Sequence, residues 1–337
     1  MTRKVSPLLL FLVAWISSLY GQDHYGHIDE AAKKVKGRDL KSIHSSLDAL
    51  SPSDSGKARA FFTWIAHNIK YDVEEYMHPN PDPDKQSPEI VFKNKKGVCQ
   101  GYANLFDVFC RMSSLECVIV TGHIREFGRY RAAGHAWNAV KIGSDWKLVD
   151  ATWGAGVLNE KGRYEAAFDD KYFLSNGENF IFDHYPFDPA WQLLVNPVNI
   201  TEYRKTTWTY KPTKTTNPYA FEDTISQWMK KDSVELLINA ANRIIKFNSD
   251  IIDAREEACY LLIMASNICF NRAFVLHETL TSEDETDSVN RTEELKIWYK
   301  KAESILDLIG VPPVKMKSIV NDMRKTIRFN LANIDDN

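Results

Sequence analysis

Three residue types that can together run acyl transfer occur in order along this chain: a cysteine in "KKGVCQGYANLF" (95–106), a histidine in "GHAWNAVKI" (134–142) and an aspartate in "WKLVDATWG" (146–154). A thiol is a strong nucleophile only as thiolate, and a helix N-terminus with a nearby imidazolium lowers its pKa enough to supply that form at neutral pH. Cys99 lies between glycines and opens a helical pattern, so its sulfur is expected at the positive end of a helix dipole. The competing reading is a small apolar filler of the core. His135 begins a strand after Gly134, and Asp150 ends the strand that pairs with it; taken singly, each could be an ordinary strand residue. Together they suggest a base and the acid that orients it.

Residues 135–150 alternate around "GSD" and read as a β-hairpin. A two-residue loop at Gly143 and Ser144 would set Trp137 opposite Asp150 and His135 one diagonal step away on the same face. An odd loop would put them on opposite faces unless a bulge restored the register. The tetrahedral intermediate also needs donors for its oxyanion. The backbone N–H of Cys99 is one, and Gln100 or Trp153 is a candidate for the second. Trp137, Trp153 and Tyr102 are read first as packing residues, with Trp137 and Trp153 kept as substrate contacts.

The elements that must carry these residues can be read from periodicity. "SGKARAFFTWIAHNIK" (55–70) places Phe61, Trp64, Ile65 and Ile69 on one stripe behind a cap at Ser53 or Asp54. "HPNPDPDKQSP" (78–88) holds too many prolines for helix or central strand, and reads as a surface loop bordering a groove. After Cys99 the apolar positions Tyr102, Leu105, Phe106, Phe109 and Met112 continue a helix, and "CVIVTGHI" is a buried strand. From about residue 217 the pattern becomes amphipathic helix: one stripe from Val234 to Ile245, a longer helix over 250–275, an acidic linker "TSEDETDSVN" (281–290), and a stripe from Leu295 to Ile309.

Composition bounds the partners. The 337 residues are 44% apolar and 12% aromatic, with 42 Lys+Arg against 45 Asp+Glu, so there is no basic excess to hold a nucleic acid. Arg3 and Lys4 precede an apolar run from Val5 to Tyr20 that ends at small Gly21, the pattern of an export signal cleaved near that glycine. Periplasmic or extracellular localisation follows as an expectation. Five cysteines are an odd number, and Cys110, Cys117, Cys259 and Cys269 sit in apolar segments, which leaves Cys99 as the odd thiol. No histidine or cysteine spacing suggests a metal site, and no cofactor is expected.

The three blocks resemble, in order, the cysteine, histidine and aspartate motifs of the transglutaminase-like superfamily. The downstream "YFLSNGENFIFDHYPFDPAWQLL" is similar to the subgroup that includes the kyphoscoliosis peptidase. The resemblance runs from about 57 to 197. It implies an α+β, papain-like core in which a cysteine-bearing helix packs on an antiparallel sheet, with Cys99 as nucleophile, His135 as base and Asp150 as orienting acid. No acidic loop has calcium-ligand spacing, which weakens a calcium-dependent cross-linking role. The expected organisation is a signal at 1–21, a helical lead-in at 22–54, the catalytic domain at 55–200, a linker at 201–216 and an all-α C-terminal domain at 217–337. The expected function is cleavage or transfer at peptide or protein amide bonds, with hydrolysis favoured. The alternative is a non-catalytic module that holds peptides in the same cleft. The helical domain would dock a protein or cell-envelope partner in either case. His184, in "DHYPF", is assigned a structural or loop role.

Overall fold

The computed structural model describes residues 25–79, 82–159, 161–212, 218–280 and 285–335. The expected export signal and the start of the acidic linker lie outside the described residues. The chain forms two compact units that interleave in sequence. Among the described residues, one holds 136–176 and those from 25 to 120; the other holds 121–135 and those from 177 to 335.

The first unit is organised by α1 (Gly26–Ala32), α2 (Leu40–Asp48) and α3 (Asp54–Asn68). Ser53 caps α3 by accepting the Gly56 N–H at 3.2 Å. Every residue from Ala58 to Ala66 is buried, so α3 is covered on all sides rather than along one stripe. The charged member of that run is Arg59. Its guanidinium forms a bidentate pair with Asp29 at 2.7 and 2.6 Å, reaches Asp170 at 2.6 Å, and lies against the rings of Tyr25, Phe62, Phe168 and Phe173. This pairing makes the buried charge tolerable and fixes α1 against α3.

Short parallel strands β1 (Lys70–Tyr71) and β2 (Lys96–Gly97) pair across the segment that holds α4 (Val73–Met77) and α5 (Pro88–Asn94). The proline-rich stretch expected as a loop contains one 3₁₀ turn, Pro83–Gln86, before α5 begins at Pro88. Then α6 (Cys99–Met112) leads into β3 (Cys117–Glu126), β4 (Arg129–Ile142) and β5 (Asp145–Val149). The β4–β5 turn is the two-residue loop Gly143–Ser144: Ile142 pairs with Asp145, and the register continues to Asn138 against Val149. Gly143 adopts φ 62°, the left-handed conformation that a tight hairpin turn requires. A second hairpin, β6 (Gly156–Leu158) with β7 (Tyr164–Ala166), follows.

In the second unit come α7 (Gly177–Phe180) and β8 (His184–Pro186), which pairs antiparallel with β3 and completes the sheet order β5-β4-β3-β8. Beyond α8 (Ile200–Tyr203) and α9 (Phe221–Trp228) lie the long helices α10 (Ser233–Asn248), α11 (Ile252–Leu280), α12 (Glu285–Asp307) and α13 (Lys317–Asp335). The fold is therefore α+β, with an antiparallel sheet followed by helices. The acidic stretch expected as a linker is instead helical from Glu285. It contains no proline or glycine to stop α12 extending backward from its packed stripe at Leu295, Tyr299 and Ala302. Although α11 is long and apolar enough to cross a membrane, its Ala254, Ala258, Ala265 and Ala273 are buried in the core that α10 and α12 share with it.

Polar pairs fasten these helices to β3 and β8. Tyr185 donates to Asn248 Oδ1 at 2.8 Å, and Asn248 Nδ2 donates to the Phe187 carbonyl at 2.6 Å. Asp188 takes a forked bond from Arg243, whose guanidinium lies 3.7 Å over Trp228. His123, fully buried on β3, places Nε2 2.9 Å from Asp253 and shares a hydrogen bond between Nδ1 and the Tyr130 hydroxyl.

Two outcomes follow. Arg59→Met removes the charge that pairs with Asp29, leaving that carboxylate the Thr63 hydroxyl, and lowers stability by about 3 kcal/mol in denaturant titration, with Arg59→Lys recovering only part of the loss. Burial holds His123 below its ordinary value of 6.5 despite Asp253, so the folded chain keeps the imidazole neutral where the unfolded chain would protonate it. That contribution is complete above pH 6.5 and is lost as pH falls toward the lower folded value. His123→Phe flattens the dependence of the unfolding midpoint on pH in this window.

Candidate active site

Cys99 is the first residue of α6, after Val98 in an extended N-cap conformation. The helical ladder begins at Gly101, whose N–H bonds the Val98 carbonyl at 2.9 Å, so the N–H groups of Cys99 and Gln100 stand ahead of it. As the first residue of a fourteen-residue helix, Cys99 places its sulfur at the positive end of a full-length dipole. Cys99 is half-buried, whereas the other four cysteines are buried; no disulfide joins any of the five.

The flanking glycines have a packing cause. A Cβ on Gly101 would lie 2.6 Å from Gln86 Oε1 and 2.8 Å from Val91 Cγ2, and one on Gly97 would lie 3.1 Å from Val91. Neither glycine adopts a positive φ; both let α5 and the turn before it approach the start of α6. That approach puts the Gln86 side chain where it accepts the Val98 N–H at 3.0 Å. The Gln86 carbonyl accepts from Asn104 at 2.7 Å, and Asn104 in turn accepts from the Gln100 side chain at 2.9 Å. One residue thus fixes the approach to Cys99 and, through Asn104, orients Gln100. Sequence reasoning passed over Gln86 and Asn104, since a lone amide in a proline-rich segment carries no signal of its own.

Asp150 is fully buried just beyond β5. Its Oδ1 accepts the backbone N–H groups of Thr152 at 2.8 Å and Trp153 at 3.1 Å, which sets the carboxylate's orientation. The Trp153 N–H, weighed as an oxyanion donor, is therefore engaged with Asp150, and its ring stands edge-on to Tyr172 at 5.5 Å. Trp137 is only 1% exposed, so it serves packing rather than substrate contact.

The hairpin loop holds two residues, an even number, and the register runs from Ile142–Asp145 to Asn138–Val149. His135 lies two residues before Trp137 on β4 and shares its face by strand alternation. His135 is 7% exposed, and its ring lies 5.4 Å from that of His184. His184 is itself fully buried on β8, pairs in register with Ile124, and stacks on Phe180 at 4.0 Å. A second imidazole beside His135 was not anticipated. The available signal was a histidine set among aromatics in "DHYPF", the pattern of a buried strand.

Residues 41–151 match the family model described as the transglutaminase-like superfamily. The chain is 34% identical over 186 residues to the kyphoscoliosis peptidase of Mus musculus, covering 52% of this chain and 28% of that protein. It is 28% identical over 207 residues to the Lim and transglutaminase domain protein ltd-1 of Caenorhabditis elegans, covering 54% and 28%. A crystal structure described as a TGase aligns with a TM-score of 0.28 at 18% identity, over 42% of this chain and 37% of that one. The chain spans less than a third of the length of these curated relatives.

Gly101→Ala forces Gln86 aside and leaves the Val98 N–H without its acceptor. The expected cost is about 1–2 kcal/mol of stability, with slower alkylation of Cys99 as the helix start shifts. Gln86→Ala should reproduce both effects, checked by denaturation and by iodoacetamide labelling rates.

Proposed function

We propose that this chain, which carries a domain of the transglutaminase-like superfamily, is an exported thiol enzyme that cleaves peptide or protein amide bonds. Cys99 is the nucleophile, His135 the general base and acid, and Asp150 the residue that orients the imidazole. The observation that carries this reading is the contrast among the cysteines: Cys99 alone is half-buried, and it occupies the first position of a fourteen-residue helix. The apolar run from Val5 to Tyr20 supports export.

The Cys99 thiolate attacks the amide carbonyl, and the oxyanion takes hydrogen bonds from the Cys99 backbone N–H and the Gln100 side chain. The imidazolium of His135 gives its proton to the leaving amine, and a thioester remains on Cys99. Water then attacks the thioester while His135 takes its proton, and the thiolate returns as the carboxylic acid leaves. An amine in place of water would cross-link instead. A relative named as a peptidase, 34% identical over 186 residues, favours hydrolysis.

The test is the pH dependence of Cys99 alkylation by iodoacetamide. An activated thiol reacts with an inflection well below the ordinary value of about 8.5, and His135→Ala returns the inflection to about 8.5. Asp150→Asn moves it part of the way. A wild-type inflection near the ordinary value, unchanged in His135→Ala, would favour a binding module that holds peptides without cleaving them. Peptide libraries that leave an acyl adduct on Cys99, read by mass spectrometry, identify the substrate class.

A further inference from the structure

Two of the thiols outside the proposed site are neighbours. Cys110 lies in the last turn of α6 and Cys117 is the first residue of β3; both are buried in the same core cluster. The Leu115 N–H bonds the Cys110 carbonyl at 2.9 Å, closing the turn that brings the chain back on itself. Burial, with the Cys110 thiol beside it, raises the Cys117 thiol, and Asn138 Nδ2 donates to Cys117 Sγ at 3.7 Å. Asn138 also donates to the Ala103 carbonyl at 3.1 Å, so one side chain holds both α6 and the Cys117 sulfur in place.

We propose that Cys110 and Cys117 form a disulfide when the chain folds under oxidising conditions, stapling the far end of the helix that carries Cys99 to the sheet. Helix geometry excludes other pairings within single elements. Cys259 and Cys269 both lie on α11, about 15 Å apart along its axis, and Cys99 and Cys110 are about 16 Å apart along α6. Cysteines can be bridged only when their Cα atoms lie within about 7 Å.

The chemistry needs a disulfide oxidant, here oxidised glutathione. One cysteine thiolate attacks the glutathione disulfide, forming a mixed disulfide and releasing a glutathione thiolate. The second cysteine thiolate then attacks the protein sulfur of that mixed disulfide and releases the second glutathione. The two protons lost by the cysteines end on the two glutathione thiols. Burial and the adjacent Cys110 raise the Cys117 thiol in the folded chain, so the step belongs to folding, while both sulfurs are still exposed. The natural setting rests on the export proposed above, but the pairing itself rests on the geometry alone.

The full chain is reduced, unfolded, and refolded in a buffer of reduced and oxidised glutathione. It is then alkylated in denaturant and mapped by mass spectrometry. The expected result is a Cys110–Cys117 cross-linked peptide about 2 Da lighter than the sum of its reduced parts, with Cys259 and Cys269 alkylated. Cys110→Ser refolded in the same way should leave Cys117 alkylated and the cross-link absent. Full alkylation of both Cys110 and Cys117 in the refolded wild-type chain, or a bridge from either to another cysteine, overturns the proposal. The readout is a covalent link rather than turnover, so its failure leaves the enzyme reading untouched, and the reverse also holds.

Discussion

The candidate nucleophile depends on how closely one turn of chain approaches the start of a helix. Gln86 can accept the Val98 N–H only because position 101 lacks a side chain, and position 97 keeps Val91 just outside contact strain. The parallel bridge between β1 and β2 brings the chain in from below, and Asn104 ties the Gln86 carbonyl back to α6. A helix start carries dangling N–H groups and a partial positive charge wherever it occurs. In this chain the start is also held in place, and its first residue is a cysteine that remains half-buried.

Elsewhere several buried charges of the described residues are held by partners. Arg59 is surrounded by four aromatic rings and two carboxylates at the centre of one unit. Arg243 with Asp188 performs the same task in the other, tying a long helix to the chain just after β8, while the neutral His123 lies beside Asp253 where β3 meets α11. Apolar packing could hold these elements together as firmly, because desolvation cancels much of the gain from an ion pair. Directional pairs add a choice among registers, since a helix slipped by one turn would leave a buried charge unmatched.

Sequence reasoning reached the elements whose signal is local. The helix through Phe61, Trp64 and Ile65, the strand from Cys117 and the hairpin around Gly143 all follow from periodicity or turn chemistry, and each is present, although that helix is buried all round instead of along one stripe. The glycines around Cys99 were noticed, but their cause was not legible, because it lies in contacts with Gln86 and Val91, ten or more positions away for Gln86 and six or more for Val91. The sequence assigns His184 only a structural or loop role, and its strand pairing is hidden for the same reason: its contacts with Ile124 and His135 join segments about sixty and about fifty residues apart. The acidic stretch near 285 misled because charge was read as loop. Helix extension there is decided by the absence of breakers and by packing further along, at Leu295 and Tyr299.

The turn at Gly143 and Ser144 has a consequence at the level of the gene. Gain or loss of a single codon there would invert the facing of every residue on one arm of the ribbon relative to the other. Length variation among descendants of this sequence should therefore arrive in pairs of codons, or together with a compensating bulge. Substitutions at Ser144, which sits exposed at the tip, should accumulate freely.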